Sequence, residues 1–275
     1  MKKKSKRTLL SPIIICAVII GAWLLANSTN PASDHAAPAA TTGSYGNLLE
    51  VRTSDACRSE FKKQYPGMDV SYNSEWHQPN WVAWELTRQE TTGPAGRENK
   101  FYCDETVPGC ADHYDYSYSG YDRGHMAPAG DMKWSKEAMH GSFSMANICP
   151  QAKALNTGAW KTLEEKCRTW AAADSAIIII CGPVMTDQPY DHIGDSRVAV
   201  PRRFFKVILS PHVTPMRGIG FIMPNDKVPG GIQAAATTID EVERITGHDF
   251  FASLPDDIET EVESQCDFPY WSKHK

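Results

Sequence analysis

Four consecutive isoleucines, residues 177–180, stand between Ala176 and Cys181 and are closed by Gly182-Pro183. A β-branched run of this length with no polar alternation has to be covered on both faces, so it predicts a fully buried strand. The segment before it, residues 156–173, predicts a helix. Trp160, Leu163, Cys167, Trp170 and Ala171 fall on one face, with Lys161, Glu164, Glu165 and Arg168 elsewhere. Residues 69–87 give an extended start and an apolar-aromatic strand over 81–86, and two further strands are expected at 204–209 and 219–223. Thr238 followed by Glu241 is a capping-box pattern that opens a short helix, and Gly247 closes it. Strands and helices are mixed without regular βαβ alternation. The expected class is α+β, with a mixed, mainly antiparallel sheet core and flanking helices.

The N-terminus is set apart from this pattern. Lys2, Lys3, Lys4, Lys6 and Arg7 precede the uncharged apolar stretch of residues 9–26. Residues 1–26 therefore read as a cleaved signal peptide or a retained membrane anchor. Ile15 before Cys16 argues against a lipoprotein site. Residues 27–46, rich in Ala, Ser, Thr, Pro and Gly, read as a flexible linker, and residues 47–275 as one domain. The expected location is outside the cytoplasm: periplasmic, surface-anchored through residues 9–26, or secreted.

With 41% apolar and 22% charged residues, the chain is neither fibrous nor disordered. Its net charge is −5, and without the five leader cations 23 positive charges face 33 negative, or −10. A protein of that charge repels polyanions on average, so any work on nucleic acid needs a local basic patch or a bound cation. Of eight cysteines, seven remain outside the leader. In an oxidising compartment they suggest up to three disulfides and one free thiol, with Cys103 and Cys110 able to close a small loop and Cys57 and Cys266 able to tie the domain ends. No CxxC or CxxH spacing supports a zinc site.

Two stretches carry chemistry. In YDRGHMAPAGD, residues 121–131, His125 is a candidate general base, with Arg123 two residues before it and Gly124 allowing close backbone approach. Alone, a histidine beside an arginine is weak evidence. In SMANICPQAKALNTGAWKTLEE, residues 144–165, Asn156 opens the expected helix and Glu164 follows eight positions later. Eight residues advance a helix about 80° beyond two turns, and helical side chains lean toward the N-terminus, so the two share a broad face. An amide oxygen and a carboxylate suit a hard cation such as Mg²⁺ that keeps most of its waters. The plainer alternative is a helix cap at Asn156 and a solvated Glu164.

Together these stretches resemble the DNA/RNA non-specific endonuclease family, through Asp122-Arg123-Gly124-His125, Asn147 in MANICPQ, NTGAW at residues 156–160, and Glu164. The likeness runs on through YNSEWHQPNWVAWELT, IIIICGPV and IDEVERITGHDFF, covering nearly all of residues 50–255. It implies a ββα-metal (His-Me finger) site and hydrolysis of phosphodiester bonds in DNA and RNA, leaving 5′-phosphate ends. By that resemblance His125 takes a proton from water, and Asn156 is the protein ligand to Mg²⁺, or to Mn²⁺ in its place. Glu164 holds the waters around the ion, Asn147 orients the site backbone or His125, and Arg123 meets the phosphate. The family's further arginine matches Arg97 best, with Arg88 the other candidate. Lys133, Lys153 and Lys161 are expected to add positive charge at the cleft.

Two other readings of the same residues are a catalytically silent nucleic-acid-binding protein and a phosphodiesterase acting on small nucleotides. The other residues get structural readings. His113, His140, His192, His212 and His248 have no partner spacing, Cys149 reads as a buried thiol, and Trp81 and Trp84 read as core. Asp122 and Asp131 either brace the site or serve turns, and Pro201-Arg202-Arg203 is a short basic patch.

Overall fold

The structure is a computed structural model and describes residues 47–273 except Ala56 and Cys57. The leader, the linker and the Cys57–Cys266 pairing lie outside the described residues. Among the described residues no helix is long and apolar enough to cross a membrane.

The isoleucine run forms the strand Ala176–Val184, buried along its whole length, and it takes the middle place in a seven-stranded sheet. Across the sheet the order is Ala236–Thr237, Arg217–Pro224, Arg203–Ser210, Ala176–Val184, Gln78–Thr87, Met68–Asn73, Phe61–Tyr65, with every neighbouring pair antiparallel. Strand alternation sends Ile177, Ile179, Cys181, Trp84, Leu86, Phe204 and Ile208 into one core, and Ile178, Ile180, Trp81, Ala83, Phe205 and Val207 into another. The helix Ala159–Asp174 covers the first face through Trp160, Leu163, Cys167, Trp170 and Ala171. Ile239–Thr246 and Asp256–Glu263 cover the second through Ile239, Val242 and Val262. The chemistry-bearing stretches pack over the first face, where Met126, Cys149 and Leu155 join the same core.

Three expectations change in detail. The helix predicted over 156–173 starts at Ala159, and Asn156 instead ends a one-turn helix, Lys153–Asn156. Gly158 makes the break: a Cβ there would lie 2.3 Å from the Ala154 carbonyl oxygen, a contact that hydrophobic periodicity cannot register. Asn156 is therefore not a helix N-cap. At Thr238 the hydroxyl accepts from the Glu241 amide at 3.1 Å, but the Glu241 carboxylate closes on Arg244 and leaves the box half made.

The third change concerns sulfur. Cys103, Cys110, Cys149, Cys167, Cys181 and Cys266 are all free thiols, so the expected disulfides do not form among them. Cys149, Cys167 and Cys181 serve as small apolar side chains in the core beneath the site. In the short loop the Cys103 thiol donates to the Cys110 carbonyl at 3.3 Å.

Candidate active site

A two-stranded antiparallel ribbon, its strands joined through residues 126–147 and the helix Lys136–Ser142, presents the first stretch. Asp122–His125 pairs antiparallel with Ile148–Gln151, placing Gly124 opposite Cys149 and His125 opposite Ile148. A Cβ at Gly124 would meet the buried Gln151 side chain at 2.2 Å, so any larger residue here has to displace that side chain. Asn147 locks the turn after the histidine: its Nδ2 donates to the carbonyls of Ala127 (2.8 Å) and Ser142 (2.9 Å), and its Oδ1 accepts from the Ala127 amide at 2.9 Å. Its role is thus on the backbone beside His125.

His125 is 9% exposed, with its ring between Phe101 and Phe143 at centroid distances of 5.4 and 5.0 Å. Trp160, the second residue of the long helix, donates its indole N–H to the His125 carbonyl at 3.2 Å. The imidazole Nε2 is buried without a hydrogen-bond partner. Burial, and then the charge of Arg97, push the imidazole pKa down to about 3. The ring is therefore neutral at working pH, with a lone pair available for a proton.

Asn156 turns its Nδ2 onto Oδ2 of Asp122 at 3.0 Å, which leaves its Oδ1 uncommitted. Glu164, half-buried on the long helix, makes no hydrogen bond or ion pair among the described residues. Burial raises its carboxyl pKa to about 7, against the pull of Lys206, Arg168 and Arg97 and with a further push from Asp131. Arg97 acts on both His125 and Glu164 and lies over the Phe143 ring at 5.4 Å, so it belongs to this neighbourhood. Arg88 does not: its guanidinium donates to the Ala173 carbonyl at 3.1 Å, at the far end of the helix from Glu164.

Arg123 is beside the site but engaged. Its Nε donates to the His113 carbonyl at 3.1 Å, Nη2 points to the same oxygen, and the cation rests over Phe101 and Tyr116. The two-pronged grip expected for a phosphate is therefore spent on backbone, leaving Nη1. Lys133, Lys153 and Lys161 are exposed, and Lys161 pairs with Glu165 at 3.8 Å.

Of the two readings open for Asp131 the contacts favour the brace, and Lys206 is a further contributor not anticipated from the sequence. Asp131 is buried, accepting from Arg168 at 2.8 Å and from the Trp84 indole at 3.2 Å, so it braces the floor of the site. Lys206 is 1% exposed, with Nζ 4.4 Å from the Trp160 ring centroid and 5.2 Å from that of Trp84. Glu164, Asp131, Cys167 and Cys181 surround its charge. The sequence held a signal for it, because a lysine in RFFKVILS in phase with Phe204 and Ile208 must point into the core.

The uncommitted amide oxygen of Asn156 and the carboxylate of Glu164, which has no partner among the described residues, are oxygen donors of the kind a hard divalent cation takes. The model of the DNA/RNA non-specific endonuclease family matches residues 50–257. The chain belongs to that family. It is 35% identical over 207 residues to the mitochondrial nuclease EXOG of Danio rerio, covering 69% of this chain and 60% of that one. A nuclease of Nostoc sp. is 32% identical over 219 residues, covering 75% and 77%. Mitochondrial endonuclease G of Bos taurus is 32% identical over 182 residues, covering 61% of each. Among solved structures, a chain of an EndoG/EndoGI complex superposes with a TM-score of 0.68 at 26% identity, covering 77% of this chain and 90% of that one. This chain spans about three fifths of the length of the animal EXOG relatives.

Proposed function

We propose that this protein is an exported, metal-dependent endonuclease that hydrolyses phosphodiester bonds of DNA and RNA with little sequence preference. The observation that carries the reading is His125: a buried, neutral imidazole with a partnerless Nε2, on the strand whose first residue, Asp122, holds Asn156, and under the same Arg97 charge that acts on Glu164.

Asn156 Oδ1 would hold Mg²⁺, or Mn²⁺ in its place, with Glu164 beside it; the bound cation would supply positive charge to the phosphate as negative charge grows in the transition state. The chain's own part is proton transfer and positioning. His125 takes the proton of the attacking water, which its neutral ring can do without first losing one of its own. Asn147 keeps the backbone after His125 from shifting, and Trp160 fixes the His125 carbonyl. Arg97, and Arg123 through its remaining Nη1, meet the phosphate oxygens. These contacts address the backbone and not base edges, which accounts for weak sequence preference and for acceptance of both nucleic acids. Export is supported by the basic start and the uncharged residues 9–26.

The test is incubation of the purified protein with supercoiled plasmid and with single-stranded RNA, in Mg²⁺ and in EDTA, beside His125→Ala. Loss of a general base should cost at least about 10²-fold in rate. Degradation of both substrates only with metal, and only by the unsubstituted protein, is the expected result. A folded protein that cuts neither substrate overturns the reading.

A further inference from the structure

The protein's negative charge is concentrated in one segment. Residues 239–267 contain ten Asp or Glu and a single Arg. They form the helices Ile239–Thr246 and Asp256–Glu263 on the face of the sheet opposite His125 and Glu164. Within that segment one carboxylate oxygen from each of Asp240, Glu243 and Glu263 lies within 4.8 Å of the others. Asp240 and Glu243 are three apart on one helix and so share a face, and Glu263 is brought to them as the last residue of the next helix.

Acidic clusters at surfaces are common, but this one has a buried member. Glu263 is only 6% exposed, and its Oε1 is sealed from solvent with no hydrogen-bond partner. A buried carboxylate oxygen without a donor costs free energy unless a proton or a cation sits against it. The charged groups that act most on Glu263 are other carboxylates, Glu243, Glu259, Asp240 and Asp249. Arg244, the one arginine of the segment, is turned outward onto Glu241 at 2.6 Å. Glu243 spends one oxygen on the Phe250 amide at 2.7 Å and keeps the other. Burial, and then repulsion from neighbouring carboxylates, raises Glu263 to about 9 and Glu243 to about 7, in keeping with a site short of positive charge.

We propose that Asp240, Glu243 and Glu263 form a structural Ca²⁺ site that staples the two helices covering the second sheet face. An all-oxygen set selects a hard cation, and three carboxylates contributed by two separate helices suit Ca²⁺, which takes about six to eight oxygens in flexible geometry, better than Mg²⁺, which demands a near-ideal octahedron and keeps most of its waters. Water fills the remaining positions on the exposed Asp240 side. This site has no part in the proposed cleavage reaction and does not depend on it.

The experiment titrates CaCl₂ into the metal-free protein by calorimetry and follows thermal melting, for wild type, Glu263→Gln, Asp240→Asn and Asn156→Ala. Wild type and Asn156→Ala should bind Ca²⁺ here with a dissociation constant of about 10⁻⁴–10⁻³ M and melt about 3–8 °C higher at ~10 mM Ca²⁺. Glu263→Gln should melt at or above wild type without Ca²⁺, because repulsion is relieved, and should gain nothing when Ca²⁺ is added. Asp240→Asn changes an exposed residue that the core does not need, and it should lose the Ca²⁺ response in the same way. The proposal is overturned if wild type shows no Ca²⁺-dependent rise, if Glu263→Gln and Asp240→Asn rise as much as wild type, or if the rise disappears in Asn156→Ala.

Discussion

Nδ2 of Asn156 donates to Oδ2 of Asp122 at 3.0 Å, tying the end of a one-turn helix to the first residue of the strand that carries His125. The bond decides which way the amide faces. With its nitrogen held by a carboxylate, its oxygen is the atom left for a cation. Partners that orient a metal ligand commonly change affinity by about 10–100-fold when removed. Asp122→Ala should therefore raise the Mg²⁺ concentration for half-maximal cleavage by about that factor, with much of the rate returning at saturating Mg²⁺. An unchanged Mg²⁺ midpoint would show that the bond does not orient the amide.

The two acid–base groups of the site are displaced in opposite directions. His125 is pushed down to about 3 by burial and Arg97, while burial lifts Glu164 to about 7. Between pH 5 and 8 the histidine is already neutral, so a rise in kcat/KM across that window reports ionisation of Glu164. A bound divalent cation favours the carboxylate, so the limb should move to lower pH as Mg²⁺ is raised. Glu164→Gln should be slower and should lose the limb. His125→Ala should lose at least about 10²-fold at every pH and retain the limb. A limb that survives in Glu164→Gln assigns it to some other group.

Much of the scaffold could be read directly. The isoleucine run, the helix face at Trp160, Leu163 and Cys167, and the Thr238 cap are local patterns, and each stands where its residues predicted. The site was less visible, because its decisive contacts join distant segments: Asn156 to Asp122, Trp160 to the His125 carbonyl, and Arg97 to the field at both His125 and Glu164. The break at Gly158 depends on one carbonyl contact and leaves hydrophobic periodicity intact. Cys149 is the buried thiol its setting suggested, but a compartment argument counts the other thiols without knowing that Cys167 and Cys181 also fill core volume.

Acid should destabilise the fold through two histidines. His248, packed against Phe205 and Phe250, takes a hydrogen bond from Arg58 Nη1 on Nε2 at 3.0 Å, and burial and that arginine lower it to about 3, as His125 is lowered. Each is neutral when folded and takes up a proton when unfolded below about 6.5. Their contribution is thus present above pH 6.5 and is lost as pH falls toward 3, by about 2 kcal/mol each at pH 5. Urea unfolding at pH 7, 6 and 5 measures the slope. His248→Gln, away from the reaction, should remove about one proton's share of it, or ~1.4 kcal/mol per pH unit. An identical slope in the variant would mean that His248 does not carry that share.

Lys206 separates an electrostatic role from a packing one. Its cation lies over Trp160 and Trp84 and pulls the Glu164 pKa down against the desolvation that raises it. Methionine keeps nearly the same volume without the charge, but taking one partner out of a buried charge cluster leaves Asp131 and Glu164 without its compensation. Lys206→Met should therefore melt below wild type at pH 7 while remaining folded at the assay temperature. Glu164 should then ionise at higher pH, so the rising limb of kcat/KM moves toward alkaline pH and activity at pH 7 falls several-fold, with recovery at pH 8.5–9. Raising Mg²⁺ should partly restore the rate at pH 7, since the cation and Lys206 favour the same carboxylate. A folded Lys206→Met with an unmoved pH profile would reduce Lys206 to a core-filling side chain.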